Sequence, residues 1–269
     1  NNTAEDNSAE VIRVIRYDTN WNRSGAASIT SNPDLFGGEV RYPFDYGCVE
    51  MTETNGTLYI VTGHEGYVDK SVGQGHQGFL MIAVDQASMT GKIVSCDLWH
   101  SFVQYIKSQS SYLYVLEQSE GSRCTKLSRY DSTTLDEKTI ELLPYGGSRT
   151  SVWALNCYAS VDGMAVSADS VLCIGTTIDQ SQYDNVTSDT PHNIYLTITP
   201  VSDFSKEATS VKYLTNYTGN GKSFMGVKIT PITENRFMIS WEEYENTDDS
   251  SSENYASADD SLSSSTLHY

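Results

Sequence analysis

In this chain of 269 residues the side chains with the most chemistry to offer gather in a few places. His64 and His76 bracket a glycine-rich run, HEGYVDKSVGQGHQG, with Glu65 and Asp69 between them. Imidazoles and carboxylates within one loop are the donor set of a divalent metal. The glycines of that run are no phosphate cradle, because no GK[ST] follows and the next segment reads as a strand rather than a helix. Asp179, Asp184 and Asp189 recur every five residues in a second polar run, where calcium is the candidate ion. The densest carboxylate stretch, 246–265, lacks the glycine that a calcium loop needs at its bend. Its Ser- and Asp-rich composition predicts a flexible acidic insertion instead. Trp99, Trp153, Tyr158 and Trp241 fall near predicted strand ends, where aromatic rings either stack on a sugar or pack one sheet against another. These four are the ligand-binding candidates.

No catalytic signature accompanies them. No GxSxG elbow, HExxH or convincing Ser-His-Asp order stands out in the chain. Paired acids for glycoside cleavage would have to converge from separate parts of the chain, so the catalytic residues stay unassigned.

The elements that must position these residues repeat. Residues 48–63, CVEMTETNGTLYIVTG, read as two short apolar strands around an Asn55-Gly56 turn, the pair best able to supply positive φ at both central positions. The pattern returns at 103–118, 164–177 and 227–241, with Leu58, Leu113, Leu172 and Phe237 in equivalent places. A period of 55 to 65 residues built from period-two strands points to a propeller or similar array and excludes helical solenoids. Each hairpin is followed by a third and a fourth strand, at 79–85 and 91–96, at 124–131 and 138–143, and at 193–199 and 210–215. The fold class is therefore all-β, a β-propeller of four-stranded antiparallel blades.

The strand at 11–18 matches the third strands in its apolar character and closing Asp, and 267–269 begins another after the fourth hairpin. This predicts an open arc of three full and two partial blades, cut from a longer propeller. The expected division is a polar tail at 1–10, blades over 11–245, the acidic insertion at 246–266 and the start of the next strand at 267–269.

Composition narrows the partners. Lys and Arg number 17 against 35 Asp and Glu, a net charge of −18, which excludes nucleic acid and an anionic membrane surface as partners, since both need basic patches. No apolar run is long enough to span a bilayer, so no membrane insertion is expected. Five cysteines, Cys48, Cys96, Cys124, Cys157 and Cys173, are odd in number and lack CxxC spacing. They predict neither a disulfide framework nor a zinc site. Tyrosine outnumbers phenylalanine 18 to 7, a balance common in extracellular β proteins. The expected location is extracellular or at the cell surface.

Tyr17-Asp18 followed by Trp21, Arg129-Tyr130-Asp131, and the double glycines at 37–38 and 146–147 give the chain a kelch-like touch. In kelch repeats the double glycine closes the second strand, whereas Gly37-Gly38 precedes the first here. The chain thus resembles β-propellers in general, and is most similar to uncharacterised bacterial secreted or cell-surface propellers. The resemblance carries no functional residue over. Together these readings predict a non-catalytic extracellular binding or scaffold module with a carbohydrate or protein ligand. The rival reading is a polysaccharide-acting hydrolase or lyase with carboxylates at the propeller axis.

Overall fold

The computed structural model describes residues 6, 8–35, 38, 40, 42–43, 49–69, 74–147, 157–187, 189–219, 221–245 and 265–269. The chain is all-β, and its strands pair antiparallel throughout. It divides into two compact units, 1–157 and 158–269.

In the first unit, β1 (Glu10–Tyr17) and β2 (Arg23–Thr30) form a two-stranded ladder. A second sheet is built from β3 (Tyr42–Pro43), β4 (Val49–Thr54), β5 (Thr57–Asp69), β6 (Gln74–Asp85) and β7 (Thr90–Cys96). In it β4 and β3 pair with successive parts of the long β5, and β5, β6 and β7 follow in chain order. The third sheet holds β8 (Ser101–Gln109), β9 (Tyr112–Ser119), β10 (Cys124–Asp131) and β11 (Glu137–Pro144), again in chain order. Asn55 (φ 53°) and Gly56 (φ 76°) make the tight turn of the first hairpin, as their residue types require.

Period-two alternation lets the second sheet bury both faces. Ile60, Leu80 and Ile82 point to one side and pack with Ile12, Ala27 and Ile29 of the first ladder. Tyr59, Val61, Phe79 and Met81 point to the other and pack with Ile106, Leu113, Val115 and Tyr130 of the third sheet. Burial on both faces explains why β5 and β6 read as continuous apolar runs.

One expectation is overturned here. Residues 64–69 and 74–78 are strand rather than loop: β5 and β6 continue their ladder into them, pairing His64 with Gly78, Glu65 with Gln77 and Val68 with Gly75, while 70–73 lie outside the described residues. Glycine at position 78 has a packing cause, since a Cβ there would lie 1.9 Å from the Asp97 carbonyl oxygen.

The second unit opens with β12 (Gly163–Val166), β13 (Ser170–Thr177), β14 (Asn193–Pro200) and β15 (Ser210–Tyr213), a four-stranded sheet in chain order. A 3-10 helix, Gln180–Asn185, interrupts the β13–β14 connection. A three-stranded sheet follows, β16 (Lys222–Thr233), β17 (Arg236–Glu245) and β18 (Ser265–His268), in which β17 pairs with both neighbours. Ile174, Ile194 and Val227 form the apolar contact between the two sheets, with Ile229, Ile239 and Trp241 packed against them. Most of the expected N-terminal tail, residue Cys48 and nearly all of the acidic insertion lie outside the described residues.

Candidate functional site

In the first unit the short connection from β7 to β8, residues 97–100, is gripped from two sides. On one side Asp97 N donates to Phe79 O (3.1 Å) and His100 N to Gln77 O (3.0 Å). On the other, Gly121 N donates to Trp99 O (2.8 Å) and Glu120 N to His100 O (3.4 Å). Both grips depend on glycine. Gly78 lets the Asp97 carbonyl approach, and a Cβ at Gly121 would lie 2.8 Å from Trp99 O. His100 takes a left-handed φ of 53°, a conformation that a residue with a Cβ holds only when its surroundings impose it.

Asp97 anchors the connection from within. Its Oδ1 accepts from Phe79 N (3.3 Å) and Trp99 N (3.4 Å), and its Oδ2 accepts from Lys126 Nζ (2.9 Å). Lys126 also pairs with Glu117 Oε1, so two carboxylates share one ammonium. The sheet register places them together, with Gln104, Glu117 and Lys126 directly opposite one another on β8, β9 and β10 and Glu141 opposite Lys126 on β11. Glu117 is only 2% exposed, and its Oε2 has no hydrogen-bond partner. Burial, reinforced by the Asp97 charge and opposed by Lys126, pushes its carboxyl up to about 7. Burial alone would lower Lys126, but Glu117 and Asp97 outweigh it and hold the ammonium above its ordinary range.

What this scaffold displays is Trp99, whose side chain is 51% exposed. Beside it stand two imidazoles, His100 and His76, with ring centroids 6.3 Å apart. Burial, helped by the charge of His76, lowers His100 and favours its neutral form at pH 7. The β9–β10 connection adds Glu120, which is half-buried and accepts from the Cys157 thiol (3.7 Å) and from Gln118 Nε2 (3.5 Å). Burial raises the Glu120 carboxyl, while those bonds and nearby Arg123 oppose the shift. A half-buried carboxyl shifted upward by burial is of the kind used in general acid work.

The residues singled out from sequence scatter by comparison. His64 is buried at 2% on β5, whereas His76 stands on β6 against His100. Asp179 caps the 3-10 helix through Ser181 N (3.0 Å), and Asp184 and Asp189 are exposed on that helix and the turn after it. Among the described residues no three His, Cys, Asp or Glu side chains gather as a metal site. Trp241 packs in the apolar contact of the second unit and stacks on His268 (5.0 Å, 7°). Tyr158 meets Tyr183 edge-on at 5.5 Å, and Trp153 lies outside the described residues. Asp97, Glu117 and Glu120 were missed. A sequence signal existed for Glu117, a single acid inside the otherwise buried run YLYVLEQS. The cleft of about 310 Å³ in this unit opens at the opposite ends of the strands, by Tyr59, Asp85 and Leu135. Its carboxylate, Asp85, is bound to Ser88 (2.7 Å).

No family model and no curated protein matches the chain. Among solved structures it is similar to an α-L-arabinofuranosidase from Lactobacillus brevis, at 9% identity and a TM-score of 0.42, over 83% of this chain and 72% of that one. It is also similar to the GH43 BlXynB protein of Bacillus licheniformis, at 9% identity and a TM-score of 0.38, over 75% of this chain and 38% of that one. A third, Zg3597, a family 117 glycoside hydrolase of Zobellia galactanivorans, matches at 9% identity and a TM-score of 0.34, over 75% and 68%. The expectation of a non-catalytic binding or scaffold module is corrected at this point. The similar structures are enzymes of carbohydrate cleavage, and that expectation is set aside. Among the described residues no helix is long and apolar enough to cross a membrane.

Proposed function

We propose that the protein is a carbohydrate-acting hydrolase on a β-propeller framework, with its four-stranded sheets as blades and its site at the rim around Trp99. The observation that carries this reading is a pairing. An exposed indole and a half-buried carboxyl raised by burial, Glu120, are tied to the same 97–100 connection by two backbone hydrogen bonds. The indole offers a flat apolar face to a pyranose or furanose ring. Glu120 is positioned to protonate a departing glycosidic oxygen. His76 and His100 offer hydrogen bonds to sugar hydroxyls. Meander connectivity supports the blade reading, since each four-stranded sheet keeps chain order and the second sheet of the first unit packs on both faces.

A panel of soluble polysaccharides and aryl glycosides, scored for released sugar, tests the proposal. Turnover of at least one is expected. Glu120→Gln should lower kcat by about 100-fold or more, as loss of a general acid does. Trp99→Ala should lower kcat/KM about ten-fold, the value of one aromatic stacking contact. No turnover anywhere in the panel, or full activity in Glu120→Gln, would overturn it.

A further inference from the structure

Beneath the rim, Glu117 belongs to neither the substrate surface nor the apolar core, and its surroundings are unusual. It lies inside the third sheet with Lys126 on one neighbouring strand and Gln104 on the other, and Asp97 shares the same ammonium. Other charged or titratable groups close to this set are Tyr130 on β10, Glu141 on β11 and the Cys96 thiol at the end of β7, which feels the Asp97 charge. Two acids and one base leave the buried set with one negative charge too many when both acids are ionised. Glu117 Oε2 and Ser119 Oγ are both buried with no hydrogen-bond partner, and beyond Lys126 only a hydrogen bond from Ser101 favours the ionised carboxylate.

We propose that Glu117 is a proton-sensing positioning residue, whose protonation commits Lys126 to Asp97 and thereby fixes the 97–100 connection and Trp99. This regulation rests on the proposed site at the rim, although its physical test does not need a substrate. With Glu117 neutral, the ammonium has one full anionic partner, Asp97, whose other oxygen holds the Trp99 and Phe79 amides. Ionisation of Glu117 divides the ammonium between two carboxylates and weakens the anchor. Burial, with the Asp97 charge in support, sets that change near neutrality. The site should therefore be firm below neutral pH and looser above it.

The test is fluorine NMR of the whole chain labelled with 5-fluorotryptophan, with the Trp99 line assigned by its loss in Trp99→Phe. In the unmodified sequence the line should broaden or move across neutral pH. His100 contributes a step of its own, which Glu117→Gln retains. The Glu117 step is the difference between the two proteins, and an identical pH course in both overturns the proposal. Infrared spectroscopy of the unsubstituted protein covers the case in which Glu117→Gln does not fold. A buried carboxylic acid C=O band should be present at acid pH and vanish through neutrality. A spectrum without such a band would overturn the assignment, whereas failure of the hydrolase reading alone would leave both physical signatures in place.

Discussion

At the scale of single residues, Lys126 carries more than its own ion pairs. It neutralises Asp97 and a nearly fully buried Glu117. Removing one partner from such a set strands the other charges in a low-dielectric place. Lys126→Met should cost about 3 kcal/mol, the lower end for a broken buried pair because Glu117 can take up a proton. A lowered urea midpoint with an unchanged slope would show it, and a midpoint equal to that of the parent protein would contradict it. Trp99 was legible in the sequence as an aromatic residue near a strand end, but Asp97 and Glu117 were not. Their significance arises from tertiary pairing, which brings Glu117 and Asp97, 9 and 29 positions from Lys126, onto one ammonium. The candidate metal ligands were read by the same local logic. His64 and His76 were judged by closeness in the chain, and the strand pairing buries one while setting the other beside His100.

At the scale of elements, hairpins were the most readable part of the chain, because turn chemistry and period-two alternation are local. Asn55 and Gly56 take positive φ as the type I′ turn demands. Nothing lies within 4 Å of a Cβ built on Gly56, so any penalty for a larger residue there is conformational rather than steric packing. Gly56→Val should destabilise by about 1–2 kcal/mol, the cost of forcing a β-branched residue into the left-handed region. Thermal unfolding of the variant would measure it, and an unchanged Tm would show that the turn rearranges freely. The extension of β5 to Asp69 and the start of β6 at Gln74 were not readable, since glycine normally marks loops. There the glycine at 78 serves the close approach of Asp97, a contact with a segment 19 residues further on. The strand was hidden by a tertiary requirement.

At the scale of the whole molecule, the net charge of −18 acts on every contact at once. Close pairs such as Lys126 with Asp97 and Glu117 are buried and barely feel salt. The excess carboxylates on the surface repel one another through water, and this repulsion opposes compactness until ions screen it. Raising sodium chloride from about 0.01 to 0.15 M shortens the screening length from about 30 to 8 Å. Surface repulsion should then fall faster than buried attraction. The expected result is a rise in Tm of about 2–4 °C, corresponding to roughly 1 kcal/mol for a chain of this size. Because the effect belongs to the surface, Lys126→Met should show the same rise from its lower starting point. A Tm that falls with salt would mean that surface ion pairs, rather than net repulsion, dominate the electrostatics of folding. A rise confined to the parent protein would instead place the salt-sensitive charges in the buried set beneath Trp99.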